Sequence, residues 1–433
     1  MGDPTGREAV AAIWRIESAR IVGALARYTG DFALAEDLAQ EALAEALVTW
    51  PREGVPRNPA GWLLTVGRRR AIDAFRRRSA LDERYAVLAR DLGEGGAVTG
   101  GAPAEPSGDV LWDPDRIDDD VLALMFISCH PVLSREARVA LTLRVVGGLT
   151  SDEIAKAFLV PTATVQARIT RAKKTLAAAR VRFELPSAAE RTERLGSVLS
   201  VIYLIFTEGS SATSGDDLIR FDLAGEAQRL ARVLTHLVPN EPEAHGLSAL
   251  LDLTAARFPA RTAPNGDPVL LEDQDRRRWN HAEIRRGRAA LARAEQLGRG
   301  LGAYGLQAAI AECHAVARSV ADTNWERIVL IYEALGRLAP SPIVELNRAA
   351  AVAMAQGPAA ALAIADDLVA AGALAKSHLL PTVRGELLIR LGRTAEARDE
   401  LKRAIDSCGN ERERGLLRRK LADLDESEQR GSR

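Results

Sequence analysis

Cysteine is scarce. Three residues, Cys129, Cys313 and Cys408, lie far apart in a chain of 433. That set excludes a disulfide framework and a C-x-x-C pair, and it points to a reducing cytoplasm. Aromatic residues make up only 4% of the chain while alanine is abundant, which favours helix over sheet. No hydrophobic run is long enough to span a bilayer. The greasiest, SVLSVIYLIF over 197–206, has the length of a buried helix, so no membrane partner is expected. The opening GDPTGREAVAAIW lacks the basic-then-apolar order of a signal peptide. An excess of one charge is also lacking, since 58 Lys and Arg against 59 Asp and Glu leave a net charge of −1. Total charge therefore says nothing about partners, and its distribution must be read instead. With 47% hydrophobic residues, a chain of this length can build about two to four domains with real cores.

The charge is sorted into blocks. Residues 61–80 carry six arginines and one acid, Asp73, whereas 81–120 carry eleven acids and three arginines. From Gly148 to Arg182 there are seven cations, and no acid falls between Glu153 and Glu184. Two basic segments thus flank an acidic one.

Apolar residues Val10, Ile13, Trp14, Ile21, Leu25 and Tyr28 recur at helical spacing. Gly30 stops that helix and Asp31 caps the next. The second helix buries Leu34, Leu38, Ala42, Leu47 and Trp50, and Pro51 ends it. A third starts near Pro59 and runs through WLLTVGRRRAIDAFRRR. A Gly-, Pro- and acid-rich stretch then reads as a flexible linker. A second helical unit follows, and after Pro186 the chain is helical again. Asn265-Gly266 can close a small hairpin. In the last hundred residues, Gly385, Leu388, Ala397, Leu401 and Ala404 fit a helical-pair repeat of about 34 residues, with Trp325, Tyr332, Leu335 and Pro340 one period earlier. The fold class is all-α, with segments at 8–82, 83–114 (linker), 115–183 and 186–433, and tetratricopeptide-like repeats near 322–425.

Within 148–182, Thr150 or Ser151 caps a short helix with Glu153 close behind. Ile154, Ala155 and Phe158 supply its buried side. Leu159-Val160-Pro161 turns, Thr162 caps a second helix, and Val165 and Ile169 point inward. This is a helix-turn-helix pattern, whose second helix enters a major groove. Thr162, Thr164, Gln166, Ala167 and Arg168 fall where base edges are met, and Arg171, Lys173 and Lys174 further along suit phosphates. A basic solvated helix is the plainer reading of the charge taken alone. The cluster at Arg68, Arg69, Arg70, Arg76, Arg77 and Arg78 is less specific. Interleaved Trp62 and Phe75 permit stacking on unpaired bases, and both can equally be core. Asp37, Glu41 and Glu45 line one helix face at i, i+4, i+8, a like-charge ladder that costs a few tenths of a kcal/mol per pair. Such a face suits a basic protein partner or plain solubility.

These pieces in this order resemble the extracytoplasmic-function group of bacterial sigma factors, within the sigma-70 superfamily. AEDLAQEALAEALVTW followed by GWLLTVGRRRAIDAFRRR resembles sigma region 2, and LSREARVALTLRVVGGLTSDEIAKAFLVPTATVQARITRAKKTL resembles region 4. The remainder, with DLIRFDLAGEAQRLARVL, VLLEDQDRRRWN and YGLQAAIAECHA, is similar to the subgroup with a long tetratricopeptide-like extension. The resemblance implies that Glu36, Asp37, Gln40 and Glu41 dock on core RNA polymerase at the β′ coiled coil, with the β subunit a further contact. It implies that Trp62, Asp73 and the arginines from Arg68 to Arg78 recognise and melt the minus-ten element. Thr162 to Lys174 would read the minus-thirty-five element of promoter DNA. The chain departs from the family pattern at Arg69, where asparagine is usual, at Leu159, where a turn glycine is usual, and at Gln166, where lysine is common. The extension is expected to act in cis, or to hold a regulatory protein or peptide.

No cofactor and no metal centre are expected. Cys129-His130 and Cys313-His314 are adjacent pairs, and neighbours on a helix point about 100° apart, which makes a poor chelate. There is no P-loop, G-x-S-x-G or H-E-x-x-H. Glu272, Asp273 and Asp275 beside Arg276, Arg277 and Arg278 read as a loop-anchoring ion-pair network rather than a catalytic carboxylate cluster. The competing readings are a helix-turn-helix activator with a sensing domain and, behind it, an enzyme with a helical small-molecule domain.

Overall fold

The computed structural model describes residues 4–91, 117–158, 160–210, 220–263, 268–375, 377–409 and 411–431. The linker expected at 83–114 falls largely outside these residues, as do Leu159 and the Asn265-Gly266 turn. No strand occurs among the described residues, so the all-α expectation holds. An isolated bridge between Thr262 and Pro268 does bring the flanks of the Asn265-Gly266 stretch together. No described helix is long and apolar enough to cross a membrane.

The chain divides into two compact units, 1–201 and 202–433. The first opens with α1 (Pro4–Thr29), α2 (Phe32–Glu53) and α3 (Pro59–Asp91). Gly30 ends α1 at φ +67°, and the Asp31 carboxylate accepts from the Ala33 and Leu34 amides to cap α2. Two expectations about α2 need correcting. Pro51 lies inside the helix, which closes only at Gly54 with φ +87°. A proline in the last turn forfeits a single amide bond, so it need not stop the helix. Leu47 is exposed, while Ala46 and Glu36 are buried. The buried stripe is Phe32, Ala35, Glu36, Leu38, Ala39, Ala42, Ala46 and Trp50, which puts Leu47 one residue off the inward face. Helix α3 continues to Asp91, into the stretch expected as linker, because 81–91 holds no Gly or Pro.

The first unit continues with α4 (Ile117–Ser128), α5 (Arg135–Val145), α6 (Ser151–Phe158) and α7 (Thr162–Ala178). Helix α4 packs along α1. A Cβ on Gly23 would approach the Asp120 Cβ to 3.0 Å, so only glycine lets the helices come this close. Arg27 pairs with the buried Asp120 at 3.5 Å. The α5–α6 turn also lies on α1: Gly148 has φ +70°, and a Cβ there would sit 2.6 Å from Ser18 Oγ. Helix α8 (Ala188–Ser210) carries the chain across the boundary between the units. On the first-unit side, its Ser197 hydroxyl donates to the Cys129 carbonyl and accepts from Arg138.

The second unit holds α9 (Phe221–Leu237), α10 (Pro242–Ala255), the short α11 (Phe258–Arg261), α12 (His281–Gln296) and α13 (Ala303–Val316). Here α10 and α13 cross closely at Gly246, where a Cβ would lie 2.7 Å from the Gly305 amide nitrogen. The run α14 (Trp325–Leu338), α15 (Pro342–Ala355), α16 (Pro358–Ala370), α17 (Leu379–Arg390), α18 (Thr394–Ser407) and α19 (Glu411–Gly431) follows, each helix packing on the next. Gly385, Leu388, Ala397, Leu401 and Ala404 are all buried, as the repeat pattern requires.

Candidate nucleic-acid and polymerase interface

Helices α6 and α7 make the helix-turn-helix. Thr150 caps α6: its hydroxyl accepts from the Glu153 amide, and the Glu153 carboxylate accepts from the Thr150 amide. This is a reciprocal capping box. The cap expected at Thr162 is not formed. Pro161 occupies the cap position without a side-chain bond, and the Thr162 hydroxyl instead donates to Asp152 at 2.8 Å, tying α7 to α6. Val165, Ile169, Ala172 and Leu176 face the core. The opposite side exposes Ala163, Gln166, Ala167, Thr170, Arg171 and Lys174. Thr164 and Arg168 are half-buried beside that face. Thr170 was not singled out from sequence, although it lies four residues beyond Gln166 on the same exposed stripe.

Lys173 is placed differently from its neighbours. Its ammonium pairs with Glu36 and, at 2.6 Å, with Asp37, both on α2. Burial would depress its pKa, but the two carboxylates outweigh that and raise it. Glu36 also takes Arg144 Nε at 3.2 Å, and its side chain is only 4% exposed. Arg144 in turn donates to the Leu149 carbonyl. On the rim, Arg15 pairs with Glu153 at 2.7 Å. Among the polymerase-docking candidates, then, Glu36 and Asp37 are engaged by the helix-turn-helix segment. Gln40 is half-buried and Glu41 exposed.

The ladder on α2 does have cations to relieve it, all of them distant in sequence. Asp37 meets Lys173, Glu41 lies 3.8 Å from Arg70, and Glu45 takes Arg69 at 2.7 Å and Arg70 at 3.0 Å. Partial burial would raise the Glu45 pKa, but hydrogen bonds from Arg69 and Arg70 outweigh it and hold the carboxyl below its usual value. On α3, Arg68 lies over the Tyr28 ring at 5.8 Å. Trp62 is half-buried and packs edge-on against Trp50 at 5.4 Å, and Phe75 tilts against Tyr28 at 6.4 Å. Both aromatics thus have core partners, although neither is fully enclosed. Asp73, Arg76, Arg77 and Arg78 are exposed, with Arg77 donating to the Asp73 carbonyl. The sequence reading missed the contact of α2 with α5 and α7. One signal was available: Glu36 sits on the apolar stripe of α2, where an acid needs a buried cation.

Each Cys-His pair has contacts of its own within its unit. Cys129 hydrogen-bonds Thr142 and Ser128, and burial pushes its thiol up to about 11. His314 lies edge-on to Trp325 at 5.2 Å, and burial, with help from Arg257 and Arg276, pulls it down to about 4. The acidic-basic loop at 272–278 is anchored by other means than a carboxylate network. Arg276 donates to the His314 and Ala317 carbonyls and stacks on Trp279 at 4.8 Å, while Asp275 pairs with Arg277.

Residues 15–80 match the family described as Sigma-70 region 2, and residues 123–176 match Sigma-70, region 4. The chain carries sigma-70 region 2 and region 4 domains. Region 2 runs from the middle of α1 into α3, and region 4 from the middle of α4 through most of α7. Residues 194–295 match a family of unknown function. An uncharacterized protein of Rhizobium meliloti (strain 1021) is 43% identical over 415 residues, 93% of each chain. The ECF RNA polymerase sigma factor SigK of Mycobacterium ulcerans (strain Agy99) is 26% identical over 164 residues, covering 38% of this chain and 81% of that protein. Regions 2 and 4 together point to a transcription factor rather than an enzyme, and they imply binding to core RNA polymerase and promoter DNA.

Proposed function

We propose that this sigma factor is of the extracytoplasmic-function type and is regulated in cis by its C-terminal extension. The observation that carries the DNA-reading part is the exposed face of α7, where Gln166, Thr170, Arg171 and Lys174 lie together without an acid among them. A groove-binding helix needs that arrangement, since each phosphate contact takes a cation not already neutralised. Gln166 and Arg168 then choose the base sequence, and Arg171 and Lys174 supply affinity. Arg76, Arg77 and Arg78 serve the minus-ten strand. The similarity to a named ECF sigma factor supports the type.

Docking on polymerase through Glu36, Asp37, Gln40 and Glu41 requires a rearrangement. Glu36 and Asp37 are held by Arg144 and Lys173, so regions 2 and 4 must separate before these acids meet another protein. The extension is the candidate for controlling that step. It carries a cavity of about 380 Å³ whose wall mixes apolar Trp325, Ile328 and Tyr332 with Asn347, Arg390 and Lys420. Such a surface suits a peptide segment or a regulatory protein.

Run-off transcription with core polymerase tests the reading. The full chain is compared with a chain ending after Ser210, because α8 is part of the first unit's packing and a cut before it would damage region 4. Promoter-dependent transcripts from the full chain are expected, with yield changed by truncation. No transcript from either protein would overturn the sigma assignment, and equal yields would overturn cis regulation.

A further inference from the structure

We propose that His378, Cys408 and Glu413 form a zinc-binding site in the C-terminal extension. The three come from separate helix ends: His378 immediately precedes α17, Cys408 follows the end of α18, and Glu413 lies in the first turn of α19. His378 Nε2 is 3.3 Å from Glu413 Oε2. Cys408 Sγ is 4.0 Å from the same oxygen. All three ligand atoms lie within 4.8 Å of one another. Tetrahedral zinc, with Zn–S of about 2.3 Å and Zn–N or Zn–O of about 2.0–2.2 Å, sets its ligands roughly 3.4–3.6 Å apart. The histidine and carboxylate already meet that spacing, and the sulfur, 4.0 Å from the carboxylate oxygen, has to move closer on binding.

The donor set selects the metal. Thiolate and imidazole favour zinc over magnesium or calcium, which take oxygen ligands. A thiolate and a carboxylate balance the charge of the dication, with neutral imidazole as third ligand and water as fourth. On binding, the Cys408 thiol gives its proton to solvent. The surroundings fix the ligands. Cys408 is 1% exposed and closes one side of the repeat core, and Arg414 donates to its carbonyl. Arg261 acts electrostatically on Glu413, but it is engaged on the Ser210 carbonyl and lies over Phe258 at 5.9 Å. The bound ion would tie α19 to α17 and α18. The sequence concealed this group because His378 and Cys408 lie thirty residues apart, whereas Cys129 and Cys313 each have a histidine as their immediate neighbour.

The test uses the full chain, reduced and stripped of metal, titrated with Co²⁺ as a spectroscopic probe. The expected result is a near-ultraviolet thiolate-to-cobalt band and intense four-coordinate visible bands that saturate at one ion per chain, and that Zn²⁺ removes. Cys408→Ser abolishes the near-ultraviolet band. His378→Gln and Glu413→Gln each weaken Zn²⁺ binding by at least about tenfold, the low end of what loss of even a supporting partner costs. Cys129→Ser and Cys313→Ser keep the spectrum. Should Cys408→Ser not fold, alkylation of the wild-type chain decides: Zn²⁺ is expected to slow modification of Cys408 at least tenfold and leave Cys129 and Cys313 unchanged. No thiolate band in the wild type, a band surviving Cys408→Ser, or no protection of Cys408 would each overturn the proposal.

Discussion

The two basic segments of the first unit, on α3 and on α7, divide their cations in the same way. On α3, Arg69 and Arg70 are neutralised by Glu45 while Arg76 to Arg78 stay exposed. On α7, Lys173 is neutralised by Glu36 and Asp37 while Arg171 and Lys174 stay exposed. The acid in both cases comes from α2. What differs is burial. The α3 pairs sit at the surface and join two helices of one region, whereas the α7 pair is largely enclosed and joins region 2 to region 4. A block of charge in sequence does not reveal its partner. Part of each basic segment is spent inside the protein, and the rest is left for a polyanion.

The largest test of this contrast is Glu36→Ala. It leaves Arg144 without its carboxylate and Lys173 with Asp37 alone near a closed interface, and breaking a buried pair from one side costs up to about 3–5 kcal/mol. Separation of regions 2 and 4 is expected, read as a larger radius in solution scattering and a lower urea midpoint. An unchanged radius and midpoint would show that the contact does not hold the regions together. Next comes Arg168→Ala, which should cost about 1–3 kcal/mol at one base position if its guanidinium makes a bidentate base contact. A selection experiment that returns the wild-type motif would remove Arg168 from base reading.

Lys174→Ala and Lys173→Ala should differ. Lys174→Ala should weaken all duplex sites alike and lower the salt slope by about 0.9. Lys173→Ala should change that slope less for the closed form while loosening the region 2–region 4 contact. Equal slopes for the two variants would mean that Lys173 leaves the acids when DNA binds. The smallest effect is expected at Glu45. Its folded-state pKa is lowered by Arg69 and Arg70, so its stabilisation is present above the usual carboxylate value of about 4.3 and is lost as pH falls through the lowered value. Solvent screening limits it to a few tenths of a kcal/mol. Glu45→Gln should therefore lower stability by that small amount at pH 7 and lose the difference from wild type as pH falls through the lowered value, and a difference that persists unchanged into acid would contradict the assignment.

Much was legible in the sequence by itself. The all-α class, the order of helices through region 2 and region 4, the Asp31 and Thr150 caps and the buried repeat positions from Gly385 to Ala404 all follow from period, capping chemistry and turn residues, which act over a few residues. The face of α7 was legible for the same reason, since Val165 and Ile169 fix which side is left to solvent. Only the tertiary structure decided what the charges do. Glu36 buried against Arg144, Lys173 drawn to α2, and His378 brought to Cys408 and Glu413 all depend on contacts between residues thirty to more than a hundred positions apart. An ion pair or a metal site leaves no period in the chain, because its partners are chosen by the packing of apolar faces and meet only after those faces have closed.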